Sequence, residues 1–390
     1  MSISKYVLLV AVVAICGRTC CAASEDSVPA LARALSQISS DRSVLEVPEG
    51  VYTIGSTWVI ARSGVTIRGA GVGKTVFIRD PKFDGFLVKI DGENSTLSSV
   101  TVDGNGTRSV ICLNAANATA DAIEVKNFTH IGIVVPASDC RITRCVISGY
   151  GTSDAPSMGI WHDAGKTSTD STIAIDRNIV KNNGMCGIYC TGGKVTIANN
   201  QITGNHIITN VGGGQIDIGN AFTTNTVAII RDNTIADGGS LKAGGIEAGG
   251  GAFTITHNTI RNHGSGGIGI GHNVISATIT GNTISNSGRN LDDRNRPQNR
   301  SGIYIGYGAK NLLISANRCF DDQPYKTQTW GVILAAPPAR ADPRFEARVA
   351  KHVTIEENDL RGNLHPEGLL DESRAQGRTV ARNLPARANR

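Results

Sequence analysis

An asparagine repeat dominates the second half of this chain. Seven short segments follow the pattern I-x-x-N-x-Φ, in which Φ is an apolar residue, from "IDRNIV" at residues 175–180 to "IEENDL" at 355–360. Successive asparagines are 22 to 41 residues apart, and repeats of 20–50 residues are typical of solenoids and propellers. The repeated asparagines are Asn178, Asn200, Asn233, Asn258, Asn282, Asn317 and Asn358.

A second short unit lies between these segments and decides between the two architectures. It reads "GIWH", "GIYC", "QIDI", "GIEA", "GIGI", "GIYI" and "GVIL", and each copy alternates as a short strand does. A propeller blade needs four strands and about 40 residues, whereas the basic period here is 22–25 residues. The pattern therefore predicts an all-β fold, a right-handed parallel β-helix. Its coils stack at about 4.8 Å, and the asparagines form a hydrogen-bonded ladder at one turn.

The N-terminal residues 1–23 have the pattern of a secretory signal peptide. Lys5 precedes an apolar run at residues 6–16, and small residues precede Ser24. We therefore expect a secreted or periplasmic protein, and no other stretch is apolar enough to span a membrane. Removing these residues lowers the net charge from +5 to +3, and residues 371–390 carry a surplus of three. A nearly neutral body gives no reason to expect nucleic acid as a partner.

Residues 28–80 resemble the N-terminal part of the pectate-lyase-like superfamily of right-handed parallel β-helices. The resemblance rests on a short helical segment, then "PEGVY" at 48–52 and "VTIRGAG" at 65–71, together with "TVDGNG" at 101–106. It implies a capping helix within residues 24–43, a β-helix over 44–365, and extracellular carbohydrate as the substrate class. The basic segment 366–390 is expected to be a disordered tail.

The second unit presents one row of side chains to solvent. In each G-I-x-I strand the isoleucines face the interior, so the residue between them faces outward. Two carboxylates in adjacent coils, with aromatic residues on either side, suit a sugar-binding groove, because aromatic faces stack on sugar rings. This outward row comprises Trp161, Tyr189, Asp217, Glu247, Gly269, Tyr304 and Ile333.

Nine residues are the candidates for chemistry in this groove. We expect the inserts at 205–214 and 288–301 to form its walls. The expected substrate-binding residues are Trp161, Asp163, Tyr189, Arg300 and Tyr307. The expected catalytic residues are Asp217, Glu247, His272 and Tyr304.

The first of three functional hypotheses is a lyase or epimerase acting on a uronic-acid polysaccharide. In it, Asp217 and Glu247 hold a Ca²⁺ ion that neutralises the sugar carboxylate. His272, Tyr304 or an arginine of the 288–301 insert then removes the C5 proton. An acidic polysaccharide is the partner that this hypothesis requires. The D-P-H motif of alginate epimerases is absent, since "ADPRFE" has no histidine.

The second hypothesis is a glycoside hydrolase. Adjacent coils place the Cβ atoms of Asp217 and Glu247 about 5 Å apart, a spacing that suits a retaining mechanism if the carboxyl groups keep it. The G-H-G and R-I-K motifs of the superfamily's polygalacturonases are absent. The third hypothesis is a non-catalytic carbohydrate-binding or scaffold β-helix. The sequence leaves all three open.

Overall fold

A computed structural model shows a parallel β-helix. It describes residues 25–38, 43–150, 156–164, 170–208, 212–219, 223–290, 300–306, 308–336, 349–373 and 375–384, and for Thr107 the backbone alone. Within these residues three parallel sheets contain 13, 11 and 12 strands, and every third strand along most of the chain belongs to the same sheet. The all-β solenoid predicted from the repeat is therefore confirmed.

The strands of the first sheet end directly before the turn that carries the asparagine ladder. Its strands are β1 (Val44–Val47), β4 (Thr66–Gly69), β7 (Thr96–Ser98), β10 (Thr119–Asp121), β13 (Cys140–Thr143), β16 (Thr172–Asp176), β19 (Gly193–Ala198), β22 (Thr226–Arg231), β25 (Gly251–Thr256), β28 (Val274–Thr280), β31 (Lys310–Ser315), β34 (Lys351–Glu356) and β36 (Thr379–Ala381).

The second sheet begins directly after the ladder. Its strands are β2 (Gly50–Ile54), β5 (Thr75–Arg79), β8 (Thr101–Thr107), β11 (Glu124–Phe128), β14 (Val146–Ser148), β17 (Ile179–Lys181), β20 (Gln201–Thr203), β23 (Thr234–Ala236), β26 (Thr259–Arg261), β29 (Thr283–Ser285) and β32 (Arg318–Phe320).

The third sheet carries the outward row. Its strands are β3 (Trp58–Ile60), β6 (Val88–Ile90), β9 (Ile111–Leu113), β12 (Ile131–Val135), β15 (Met158–Asp163), β18 (Ile188–Thr191), β21 (Gly213–Gly219), β24 (Ala243–Gly249), β27 (Ile268–Ile270), β30 (Ser301–Ile305), β33 (Trp330–Leu334) and β35 (Leu369–Asp371).

Stacked isoleucines form the core between the sheets. On the inner face of the third sheet they pair in register from coil to coil and are fully buried. Burying one such side chain contributes roughly 1.5–3 kcal/mol, so the repeated isoleucine is the main source of stability. This inner row comprises Ile160, Ile188, Ile216, Ile246, Ile268 and Ile303.

The asparagine ladder forms as predicted. The side-chain amide nitrogen of Asn258 donates to Oδ1 of Asn282 at 3.0 Å and to the carbonyl oxygen of Ile230 at 2.9 Å. The backbone nitrogen of Asn258 donates to the same Oδ1. This pattern repeats through all seven asparagines and continues to Asn383, which accepts from Asn358 at 2.8 Å. Each rung therefore satisfies backbone and side-chain groups in the buried turn.

A short helix covers the N-terminal end. Helix α1 (Val28–Ser36) buries Val28, Leu31, Ala34 and Leu35 against the first coils. Asp26 fixes its start, because its carboxylate accepts hydrogen bonds from the backbone nitrogens of Val28 and Gly55. The helix thus lies within the predicted capping segment.

The expectation of a disordered tail after residue 365 is wrong for the part of it that the structure describes. Strand β35 pairs with β33, and β36 pairs with β34. The β-helix therefore extends beyond the predicted boundary, to at least residue 384. Residues 1–23, where the signal peptide is predicted, lie outside the described residues.

Candidate functional site

The outward row has the register that the sequence predicts. Trp161 pairs with Tyr189, and Tyr189 pairs with Asp217. Asp217 pairs with Glu247, and Gly269 separates Glu247 from Tyr304. The parallel pairing holds these positions in one line along the helix axis, at about 4.8 Å per coil.

Asp217 and Glu247 are half-buried carboxyl groups whose pKa values are raised. Burial raises the pKa of Asp217 from 3.8 to about 6. Burial and, secondarily, the negative charge of Asp217 raise the pKa of Glu247 from 4.5 to about 7. Near neutral pH, one carboxyl group is therefore mainly ionised while the other retains its proton in a large fraction of molecules.

The two side chains lean in opposite directions along the helix axis. Asp217 leans back towards the preceding coil, where its Oδ2 lies 4.0 Å from Sγ of Cys186. Glu247 leans forward, and a Cβ atom built on Gly269 in the following coil would lie 2.5 Å from its Oε2. These contacts lie on opposite sides of the pair, one in the preceding coil and one in the following coil.

Both carboxyl groups line one cleft of about 370 Å³. Glycines form much of its floor, and His272 and Lys242 also line it. His272 is half-buried and follows β27, whereas Lys242 is exposed and precedes β24. Three candidate catalytic residues (Asp217, Glu247 and His272) thus share the cleft.

Tyr304, the fourth candidate, lies in the outward row one coil beyond Gly269. Its half-buried ring runs beside Gly306, where a built Cβ atom would lie 3.6 Å from Cε1 of the tyrosine. The same built atom would lie 3.7 Å from Cα of Gly271, which lines the cleft. Tyr304 is therefore a neighbour of the cleft on its C-terminal side.

The candidate substrate-binding residues are more dispersed. Trp161 and Tyr189 are half-buried in the outward row, and burial, followed by the charge of Asp217, raises the pKa of Tyr189. Asp163 is exposed and accepts a hydrogen bond from the Thr191 hydroxyl at 3.0 Å. Arg300 donates from Nε to the carbonyl oxygen of Thr327 at 3.3 Å. Tyr307 lies outside the described residues.

Among the described residues, no arginine lines the cleft. Arg289 donates from Nη2 to the carbonyl oxygen of Gly238 at 2.7 Å, which directs its head group to the backbone. Residues 291–299 of the same insert lie outside the described residues. Lys242 is the basic residue that lines the cleft in the described part of the chain.

The donors around Asp217 and Glu247 do not complete a metal site. Nowhere in the described ranges do three His, Cys, Asp or Glu residues form a group that can hold a metal ion. Ca²⁺ takes six to eight oxygen ligands, so these two carboxylates would supply a minority of them.

His206 is a residue that sequence reasoning missed. Its ring is fully buried, and neither ring nitrogen has a hydrogen-bond partner. A Cβ atom built on Gly213 would lie 3.2 Å from its Nε2 and 3.3 Å from Oδ2 of Asp217, so both groups flank the same glycine. Burial lowers the pKa of His206 and keeps the ring neutral. The only sequence signal was its place in the 205–214 insert, directly after Asn205.

The cysteines of the described residues are all buried thiols. Six cysteines, from Cys112 to Cys319, are buried and free, so the described residues contain no disulfide. The described part of the chain also has no helix that is long and apolar enough to cross a membrane.

Comparisons with solved structures support the fold. The A-module of the mannuronan C-5 epimerase AlgE4 from Azotobacter vinelandii aligns with a TM-score of 0.59 at 15% identity, over 86% of this chain and 90% of that one. The Dettilon tailspike protein gives 0.60 at 16%, over 88% of this chain and 64% of that one. A PL6 alginate lyase solved with a trisaccharide gives 0.56 at 16%, over 93% and 83%. At such identities, these likenesses show the fold alone.

The family comparison covers more than half of the chain. A comparison with curated proteins gives no match. The family model described as "Rhamnogalacturonase A/epimerase, pectate lyase-like" matches residues 23–234. This range runs from the N-terminal coils to the start of the asparagine ladder and includes Asp217. The chain is therefore a member of the rhamnogalacturonase A/epimerase family of pectate lyase-like proteins.

Proposed function

We propose that this protein is an exported glycoside hydrolase that cleaves a polysaccharide in the cleft over Asp217 and Glu247. The observation that carries the proposal is the pair of carboxyl groups in adjacent coils, whose surroundings raise their pKa values to about 6 and about 7. Two carboxyl groups with separated pKa values are the usual requirement for glycoside hydrolysis, one acting as acid and the other as base or nucleophile.

Glu247 is the general acid in this mechanism. Its higher pKa keeps a proton available near neutral pH, and this proton passes to the glycosidic oxygen as the bond to the anomeric carbon breaks. Asp217 is the base. Its ionised carboxylate takes a proton from the water that attacks the anomeric carbon. The remaining hydroxyl group of that water bonds to the anomeric carbon, and the leaving oxygen keeps the proton from Glu247.

The opposite lean of the two side chains favours inversion at the anomeric carbon. A retaining mechanism needs carboxyl groups about 5–5.5 Å apart, whereas an inverting one leaves room for a water molecule between the base and the sugar. The backbone spacing matches the retaining expectation drawn from the sequence. Asp217, however, leans towards Cys186 and Glu247 leans towards Gly269. We infer that these opposite contacts widen the gap between the two carboxyl groups. We therefore expect the product to have the anomeric configuration opposite to that of the substrate.

Elimination or epimerisation on a uronic-acid polysaccharide is the second candidate. It is favoured by Lys242 and His272, which line the same cleft and can neutralise a sugar carboxylate and accept a proton. The names of two structural neighbours, an alginate lyase and a mannuronan epimerase, point to the same class of substrate. A Ca²⁺ ion held by Asp217 and Glu247 would add to the neutralisation by Lys242, with its remaining oxygen ligands supplied by water and the sugar.

Product analysis separates these candidates. The purified protein is incubated with neutral glucans, rhamnogalacturonan, pectate and alginate. New reducing ends without ultraviolet absorbance indicate hydrolysis, whereas a 4,5-unsaturated uronate absorbs in the ultraviolet and indicates elimination. Proton NMR of the first product gives the anomeric configuration.

Matched variants tie the activity to the cleft. Asp217→Asn and Glu247→Gln should each lower kcat by roughly a thousandfold or more, because each removes an essential proton transfer. Asp232→Asn is the control, since Asp232 is an exposed turn residue paired with Arg231 on another face. If the products absorb in the ultraviolet and their formation stops when a chelator is added, the reaction is elimination and not hydrolysis. Sugar binding without turnover of any polymer would contradict an enzymatic function and indicate a carbohydrate-binding β-helix.

A further inference from the structure

One glycine interrupts the line of large side chains in the outward row. Gly269 lies in register between Glu247 in the preceding coil and Tyr304 in the following coil. The residue is buried even though its position faces outward. Something other than solvent therefore covers it.

The carboxyl group of Glu247 occupies that place. A Cβ atom built on Gly269 would lie 2.5 Å from Oε2, 3.0 Å from Cδ and 3.1 Å from Oε1, and all three atoms belong to Glu247. Gly269 does not have the left-handed backbone conformation that favours glycine. Its backbone would accept alanine, so the contact with Glu247 is the reason that a side chain does not fit.

A second glycine confines the same carboxyl group from its own strand. A Cβ atom built on Gly244 would lie 2.9 Å from Oε1 of Glu247, and this glycine also has an ordinary backbone conformation. Gly244 and Gly269 thus form a recess, which we call the carboxyl seat. The head group of Glu247 therefore lies between its own coil and the following coil.

We propose that Gly269 is a positioning residue, whose missing side chain creates the carboxyl seat and so sets the place of the Glu247 carboxyl group relative to Asp217. The catalytic consequence rests on the proposed hydrolase function, but the seat itself does not. A methyl group at residue 269 would push the carboxyl group towards solvent. The fold would tolerate this change, because the displaced atoms are the end of a flexible side chain.

A kinetic cycle tests the catalytic part. Gly269→Ala should lower kcat about a hundredfold, the usual consequence of a catalytic group misplaced by an ångström, with KM close to the wild-type value. In a Glu247→Asp background, Gly269→Ala should have little further effect, because the shorter side chain does not reach the seat. An equal fractional loss in both backgrounds, or no loss in either, would overturn the proposal.

An unfolding experiment tests the seat without any activity. At pH 8 the half-buried, ionised Glu247 destabilises the fold, so Glu247→Gln should raise the free energy of unfolding. In the Gly269→Ala background this gain should fall by at least half, because the carboxylate is already displaced into water. The gain should persist in the Gly271→Ala background, where the built Cβ atom would meet only ordinary contacts of 3.4 Å or more. An unchanged gain in Gly269→Ala would refute the seat, whether or not the protein cleaves a polysaccharide.

Discussion

Asp217 and Glu247 show how one sheet gives two identical functional groups different roles. Both face the cleft at the same register, but Glu247 is affected by the charge of Asp217 in addition to its own burial. Because the two groups interact, their titration steps belong to the pair. As pH rises, the first titration step ionises the base, and the second removes the proton that the general acid must donate.

The first prediction concerns the pH dependence of hydrolysis. Turnover requires ionised Asp217 and protonated Glu247, so kcat/KM should rise with pH through about 6 and fall through about 7. The result should be a narrow bell near pH 6.5, measured with a buffer series at constant ionic strength. A profile that stays flat to pH 9 would contradict the assignment of Glu247 as the acid.

The second prediction concerns stability and follows from the same raised pKa. The folded state binds the Glu247 proton more tightly than the unfolded chain does, so this group lowers stability as pH rises from about 4.5 to about 7. Glu247→Gln should therefore be nearly neutral at pH 4 and stabilising at pH 8, by up to about 3 kcal/mol. Urea unfolding at both pH values measures the difference. Equal effects at pH 4 and pH 8 would show that the carboxyl group is well solvated.

At the scale of the element, the turn between the first and second sheets contains an unfavourable backbone conformation that hydrogen bonds offset. The residue before most ladder asparagines has a left-handed backbone, as at Arg177, His257 and Ala316. A non-glycine residue rarely adopts this conformation without other support. The asparagine that follows supplies this support: the Asn258 side chain donates to the carbonyl oxygens of Thr256 in its own coil and Ile230 in the preceding coil, and it accepts from the backbone nitrogen of Asn233.

The third prediction tests this ladder. Asn258→Leu removes the acceptor for both the backbone and side-chain nitrogens of Asn233, and should lower the free energy of unfolding by about 1–3 kcal/mol. Asn114→Leu is the control, because Asn114 is exposed and its side-chain nitrogen donates to the carboxylate of Asp91 at 2.8 Å, at the surface and not in a buried turn. Unfolding curves of both variants give the comparison. A Tm unchanged by the ladder substitution would count against its structural role.

The elements were predictable because each coil repeats the same local pattern. Alternation gave the outward row, and the asparagine gave the turn, so the register of Asp217 on Glu247 followed from the sequence. The direction in which the two side chains lean did not follow, since it depends on residues of other coils, Cys186 in the preceding one and Gly269 in the following one. A second amide ladder, in which Asn183 donates to Asn205 and Asn205 donates to Gln215, was also missed, because its members differ in type and spacing.

At the scale of the whole molecule, the first and last coils each have one face with no neighbouring coil, so each end of the β-helix must be covered. Helix α1 covers the N-terminal end, while β35 and β36 cover the strands before them at the other end. The sequence carried a signal for this last coil in "VARN" at 380–383, which places Asn383 at the ladder position. The arginine-rich composition of residues 371–390 obscured it, and Pro385 replaces the expected apolar residue.

The fourth prediction tests whether this last coil is part of the fold. Deleting residues 366–390 removes both strands and Asn383, and it leaves the backbone nitrogen of Leu360 without the carbonyl oxygen of Leu384. It also uncovers the apolar edge of β33 and β34, and uncapped solenoid ends associate with one another. We expect a lower Tm and aggregation on size-exclusion chromatography. Deleting residues 385–390 alone removes none of these contacts and should leave both readouts unchanged. Wild-type behaviour of the longer deletion would mean that the preceding coil is sufficient to end the β-helix.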